Sequence, residues 1–367
     1  MSNTFGKSFR LTTWGESHGR AIGAVIDGCP SMLELSEGDI QKELDMRRPG
    51  RSGIASQRKE EDKIEILSGV LEGRTTGAPL SMLIWNKDVR PEAYDEIKNL
   101  ARPGHADLTY ELKYGIRDWR GGGRASARET ACRVAGGAVA KKLLSGFEMG
   151  VFAYAVRIGG IPADGVDVTE RNLDKLRRLR EQNDVRCIDA AAAKKMEKAI
   201  LLAKNEGDSL GGIIEVSALG VPPGLGEPVF DKLGADLAKA LMSVPAVKGV
   251  EIGAGFSLAD MKGSKANDAF FIERGKIKTK TNNSGGILGG ISSGMPITAR
   301  VAIKPTSSIA KEQNTVNMKK MQDAKIKVGG RHDPCVVPRA VPVVEAMVAL
   351  VLADHGVRSG IIPRVLR

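Results

Sequence analysis

Ser126–Leu144 limits what this chain can fold into more than any other stretch. Its body is alanine and glycine, with Cys132, Val134, Ala135, Ala138, Val139 and Leu143 spread over all sides. A helix that is apolar all round has to be enclosed, and its small residues let neighbours come close. It opens on Ser126-x-x-Glu129, the pattern of a capping box, in which each side chain would satisfy a free amide. A second enclosed helix is expected to start near Pro342, since proline suits the first helical turn, and to carry the apolar run up to Ala353. Around these two, Ala21–Ile26, Ile64–Leu71, Ala78–Trp85, Gly212–Leu219, Val247–Ile252 and Ile297–Ile303 read as strands. Asp174–Gln182 and Ala190–Asn205 read as charged, exposed helices, the second closed by Gly207. Asp231–Met242 reads as one more helix. Strands and helices in this irregular order predict an α+β fold rather than repeated βαβ units.

Length and composition bound the function. The 367 residues give a prior of two or three domains, or one large one. No run reaches the roughly 18 apolar residues of a membrane span, and the N-terminus carries no apolar secretory segment. Cys29, Cys132, Cys187 and Cys335 are scattered, which speaks for reduced thiols in a cytoplasmic protein rather than a zinc site or disulfide framework. HExxH and HxxxH are absent, so no metal is expected. Lys+Arg number 55 against 44 Asp+Glu, a net charge of +11, and glycine reaches 44 residues. Such a chain is expected to meet anions. Nucleic acid is a rival partner, but the 8 Phe, 4 Tyr and 3 Trp nowhere interleave with a basic run as a stacking platform would.

Three segments could hold an anion. Gly121-Gly122-Gly123-Arg124 precedes the first apolar helix, where amides, helix dipole and the guanidiniums of Arg124 and Arg128 would converge. A plain flexible turn explains the glycines equally. Lys304-Pro305-Thr306-Ser307-Ser308 offers an ammonium and three hydroxyls after a strand, or else a polar turn. Arg47-Arg48-Pro49-Gly50-Arg51, with Arg58 and Lys59 nearby, is either an anion cradle or an exposed basic loop. Histidine is scarce. His18, His105 and His332 sit in turn-like segments, each with a glycine and an acid close by, and suit proton transfer near neutral pH. His355, at a helix end, reads as structural.

Taken together, GESHG, RPGHAD, KYGIRDWRGGGRASARET, NNSGGILGGISSG, KPTSS and GRHDP, in this order from about Phe9 to Asp354, resemble the chorismate synthase family, in its monofunctional bacterial form. The resemblance implies one domain over residues 1–367, built as a β-α-β sandwich with a helical layer between antiparallel sheets, and assembled as a homotetramer. It implies an anti-1,4-elimination of phosphate from 5-enolpyruvylshikimate 3-phosphate to give chorismate. Reduced FMN would be required without net redox change and would be supplied by an external flavin reductase, with NADPH as an indirect reductant.

Residue by residue, the resemblance makes His18 a proton or hydrogen-bond donor to the departing phosphate. His105 would sit by the flavin, and Asp333 would help take the C6 proton by way of the flavin N5. Arg47, Arg102, Arg128 and Arg331 would hold substrate or cofactor anions. FMN would be bound by Arg124, Ala125, Ser126, Pro245, Ala246, Gly289, Lys304, Pro305, Thr306, Ser307, Ser308 and Arg331. NADPH contacts would fall on Arg47 and Gly53, where the family often carries arginine at the latter and Arg51 could substitute. A small polyanionic substrate then accounts for the basic character, with no nucleic acid and no membrane. Each cation within about 4 Å of such an anion is worth about 4 kcal/mol at an effective dielectric of 20, before desolvation.

Overall fold

Strand Ile297–Ile303 alternates buried and less buried residues along ITARVAI, the mark of a sheet with one face on the core. The structure is a computed structural model describing residues 3–48, 54, 61–88, 91–329 and 333–367. Its first sheet holds β1 (Thr4–Phe5), β2 (Arg10–Gly15), β3 (Ala21–Asp27), β4 (Ile64–Ser68) and β5 (Leu80–Trp85) in the order β1-β2-β3-β5-β4. The second holds β6 (Gly150–Ile158), β7 (Ile161–Pro162), β8 (Gly212–Leu219), β9 (Val247–Ile252) and β10 (Ile297–Ile303) in the order β9-β10-β8-β6-β7. Every pairing within these sheets is antiparallel, with Ile22 opposite Ile84 and Val216 opposite Ala299. This is the α+β class.

The helices are α1 (Glu37–Arg47), α2 (Asp107–Tyr114), α3 (Thr130–Ser145), α4 (Leu173–Glu181), α5 (Ala190–Asn205), α6 (Leu233–Met242) and α7 (Val337–Arg358). The helices α3 and α7 pack on each other, α3 lies against β2 and β3, and α7 against β6 and β8. They therefore fill the layer between the sheets. Two glycines make this contact possible. A Cβ on Gly136 would lie 2.7 Å from Leu11 of the first sheet, and one on Gly137 only 2.3 Å from the Cβ of Ala346 in α7. Glycine weakens a helix by about 1 kcal/mol relative to alanine; here it lets two backbones approach. One large hydrophobic cluster joins both sheets and these helices, and a smaller one lies under α4.

Several boundaries differ from the sequence expectation. The capping box at Ser126 does not form, because the Glu129 carboxylate is taken by Thr13 Oγ1 (2.9 Å) and Arg133 Nε (2.8 Å). Ser126 instead accepts from the Arg128 amide, and a 3₁₀ turn over 127–129 leads into α3. The box that does form is at Ser36 and Asp39, which open α1. Helix α7 starts at Val337 with Pro338 in its first turn, so Pro342 sits inside the helix rather than at its start. Asp231 stays outside α6 because its carboxylate pairs with Lys7 and with Arg358 (3.2 Å). The expected strand to Leu71 stops at Ser68, since Gly69 (φ +87°) turns the chain where a Cβ would meet Leu80 at 2.7 Å.

Other expectations meet the structure directly. Gly207 closes α5 at φ +69°, with its amide and that of Asp208 bonded to Lys204 and Ala203 carbonyls, as in a Schellman motif. Helix α4 is not wholly exposed: Leu176 and Arg180 are buried. Helix α7, at 22 residues, is long and apolar enough to cross a membrane, yet its apolar window is entirely buried within the chain. All four cysteines are free and buried, and burial pushes Cys29, Cys132 and Cys335 up to about 12. Buried His355 bonds Asp236 through Nε2 at 2.9 Å.

Candidate active site

Loops from separate parts of the chain meet at one end of the helical layer and enclose a cavity of about 350 Å³. Its walls include His18 after β2, Arg102 to Ala106 before α2, Gly121 and Ala125 to Arg128 before α3, and Pro245-Ala246 before β9. Lys304 to Ser308 after β10, Asp333 and Arg339 at the head of α7, and Arg47 at the end of α1 complete it. A cavity of about 420 Å³ beside Lys141 and Glu345 is larger, so volume does not single out the site. Charge does. Among the described residues, Arg47, Arg102, Arg128, Lys304 and Arg339 face Asp333 alone here, whereas four bases meet three acids in the larger cavity.

The three glycines act as spacers. A Cβ on Gly121 (φ +63°) would lie 2.2 Å from His18 Cε1, and one on Gly122 (φ +103°) 2.8 Å from His105 Cε1. Both imidazoles thus rest on bare backbone, an approach only glycine permits. The helix N-terminus expected here lies further on, because α3 begins only at Thr130. His18 also packs edge-on against Tyr94, with ring centroids 5.4 Å apart, and its Nδ1 lies 3.1 Å from Ser17 Oγ. Gly121→Ala is expected to push the His18 ring aside and lower kcat about 10²-fold, the scale of an ångström misplacement, while the protein stays folded. Turnover within about twofold of wild type, with a native circular dichroism spectrum, would show that the ring is not held there.

Two buried carboxylates organise the cations. Asp62 accepts from Arg47 Nη2 at 2.7 Å and from Arg128 Nη1. Burial alone would raise its carboxyl, but Arg47 and then Arg128 outweigh it and bring it to about 2. Arg47 also donates to Thr130 Oγ1 (3.1 Å) and the Ala127 carbonyl (3.3 Å). Burial, opposed by Asp62 and helped by Arg339 and Arg128, pushes its guanidinium down to about 10, still cationic at neutral pH. Asp107 receives Arg102 as a fork, at 2.7 and 2.8 Å, and Arg117 Nη1 at 3.3 Å. Burial again opposes ionisation, yet the hydrogen bonds from Arg102 and His105 hold this carboxyl well below the usual range. Asp333 pairs with Arg339.

On the opposite wall, the Gly104 carbonyl accepts from Lys304 Nζ (2.9 Å) and Ser307 Oγ (2.7 Å), tying the histidine loop to the hydroxyl-rich loop. Burial, then Lys248, lowers the Lys304 ammonium. Ala246 adopts φ +71°, a strained value for a residue with a Cβ. Among the described residues, Thr306 Oγ1 and Arg47 Nε are buried at this cavity without a hydrogen-bond partner.

Not every expected residue reaches the cavity. Arg124 turns away, donating to the Thr13 carbonyl (2.6 Å) and Asn3 Oδ1 (3.3 Å), and lines a neighbouring cavity. Gly289 lies exposed at the turn between Ile287–Leu288 and Ile291–Ser292. Arg51, Gly53, Arg58, Lys59, Arg331 and His332 lie outside the described residues. Asp62, Asp107, Arg117, Arg339 and Tyr94 were missed by sequence reasoning. Asp107 stood in the RPGHAD motif; Asp62, amid an acidic and basic stretch, gave no local signal.

A family model described as chorismate synthase matches residues 9–357. A chorismate synthase of Methanosarcina mazei is 59% identical over 365 residues, spanning 99% of both chains. One from Archaeoglobus fulgidus is 57% identical over 364 residues, again 99% of each. A solved structure described as a crystal structure of chorismate synthase superposes with a TM-score of 0.78 at 36% identity, covering 96% of this chain and 93% of that one. Both named relatives are archaeal, so the family stands and the bacterial label does not carry over.

Proposed function

The chain belongs to the chorismate synthase family of carbon–oxygen lyases, which remove phosphate from 5-enolpyruvylshikimate 3-phosphate to give chorismate in the shikimate pathway, and from that premise we propose how this site works. The reaction depends on reduced FMN, which when bound supplies an electron-rich ring beside the breaking C–O bond. The single observation behind this reading is the convergence of five cations, two histidines and Asp333 on one cavity.

The donor set suits a substrate with two carboxylates and a phosphate, and a cofactor with a phosphate of its own. Arg47, Arg102, Arg128 and Arg339 hold the substrate anions in a partly dry site, where fixed positive charge meets the charge that develops on the leaving phosphate. Arg331 is assigned to the same task by motif. Lys304, Thr306, Ser307, Ser308, Ser126 and the Pro245-Ala246 turn hold the flavin. The partnerless Thr306 hydroxyl supports this fit, since a buried hydroxyl without a partner carries a desolvation cost that an acceptor on the ligand would relieve.

His18, steadied by Ser17 and Tyr94, donates to the departing phosphate. Asp333, kept ionised by Arg339, accepts the proton lost from C6. His105 presents a ring nitrogen at the flavin. The NADPH reading rests on Arg47 alone, whose Nη atoms are already committed to Asp62, Thr130 and Ala127. We also propose one catalytic domain in a homotetrameric, cytoplasmic enzyme that meets no nucleic acid or membrane and draws its reduced flavin from a separate reductase.

The test is an anaerobic assay with dithionite-reduced FMN, following the chorismate diene absorbance and free phosphate together. Wild-type protein is expected to form both in equal amounts, and none with oxidised FMN. His105→Ala should bind FMN normally and turn over roughly 10²-fold more slowly, as for a lost acid–base group. Product formation independent of flavin reduction would overturn the cofactor assignment, and near-normal turnover of the variant would remove the role given to His105.

A further inference from the structure

Resting on that reading of His105, we propose that Asp107 is the positioning residue of the site, fixing which nitrogen of His105 carries the proton and which faces the reaction. His105 Nδ1 lies 3.2 Å from Asp107 Oδ1, and the same carboxylate takes the Arg102 fork and the Arg102 amide at 3.0 Å. Asp107 is itself 3% exposed and held from behind by Arg117, which also bonds the Lys98 carbonyl at 2.6 Å. One anion therefore locks a cation, an imidazole and a loop into a single unit.

The consequence concerns the proton. A carboxylate can only accept, so the ring nitrogen facing it is the protonated one. Nε2 is then the free ring nitrogen of neutral His105, an acceptor, and it becomes a donor only as imidazolium. Its edge rests on Gly122, where a Cβ would come within 2.9 Å of Nε2. Other charged groups around the ring are Arg102 on its own loop, Lys304 beyond Gly104, and Glu16, Asp118 and Arg124 around a small cavity behind it. Asp107 is the anion in direct contact.

Asp107→Asn keeps the shape and one acceptor for Arg102, but can place an amide donor against Nδ1 and so reverse the tautomer. The full-length variant is expected to bind FMN as wild type does, keep KM for the phosphorylated substrate within about twofold, and lose kcat about 10²-fold or more. Its acid limb should move to lower pH, since the imidazolium has lost its neighbouring anion. In a His105→Ala background the same change should cost no more than about twofold, because residues acting as a unit are not additive. An equal loss in both backgrounds would mark Asp107 as merely structural and overturn the proposal.

A second measurement needs no variant and no turnover. Nitrogen NMR of the wild-type protein with isotope-labelled histidine should show His105 protonated at Nδ1 when neutral. The Nε2–H form would overturn the positioning role whatever the kinetics. If His105→Ala alone left turnover intact, the acid–base reading would fall while the NMR result still decided the tautomer.

Discussion

Asp62→Ala is expected to destabilise the protein by about 3–5 kcal/mol, the range found when one partner of a buried ion pair is removed. Arg47 is 1% exposed and Arg128 4%, and both point their guanidiniums at this one carboxylate. Without it, two like charges are left side by side out of water. Urea unfolding would measure the loss, and a change below about 1 kcal/mol would mean that the arginines find other partners at once. The same variant should raise substrate KM, because the arginines would lose the anchor that aims them at the cavity. The linkage to pH has a definite sign. The folded carboxyl is lowered to about 2 from an ordinary 3.8, so its stabilisation is fully present above the unfolded value and fades as pH falls from about 4 to 2. Wild-type stability should therefore drop through that window, and the variant should lose less of it.

How much of this was legible in the sequence depended on how local the cause was. Helix α3 was legible because its all-round small and apolar surface permits only a buried place. Its exact start was not, since a partner remote in sequence, Thr13, claims Glu129 and undoes the capping box. Helix α1 was overlooked because its apolar face is narrow: Ile40 and Leu44 are the buried hydrophobic residues in eleven positions. That omission also hid why Arg47 is buried rather than displayed on a loop. The basic and hydroxyl loops were visible as motifs, yet their convergence rests on contacts such as Gly104 with Ser307, about 200 positions apart in the chain. The glycine triplet was found, but for another reason than its amides: it makes room for two imidazoles. Asp62 was invisible because nothing in the neighbouring residues distinguishes an acid that will be buried between two arginines from one that stays in water.

Glu345 tests the same physics away from the cavity chemistry. It sits in the middle of α7 at 2% exposure, where the sequence shows a charge interrupting an apolar run. Its carboxylate accepts from Arg180, from Lys141 Nζ at 2.5 Å and from the Ala153 amide at 2.8 Å, binding α3, α4, α7 and β6 at one point. Burial works to raise it, but Arg180 and Lys141 prevail and bring it to about 2. Glu345→Leu adds apolar surface and would stabilise an ordinary core position. Here it removes the acid shared by two enclosed cations, so a loss of about 3–5 kcal/mol is expected, less any relief that Glu43 gives to Lys141. Folded at low temperature, the variant should keep wild-type KM and FMN affinity, which separates this network from the active site. The wild-type contribution of Glu345 is present above about pH 4.5 and is lost as the pH falls towards 2, so the stability difference between the two proteins should shrink over that range. A Glu345→Leu variant as stable as wild type at neutral pH would mean that burying the three charges together gains nothing over a hydrophobic contact at this position.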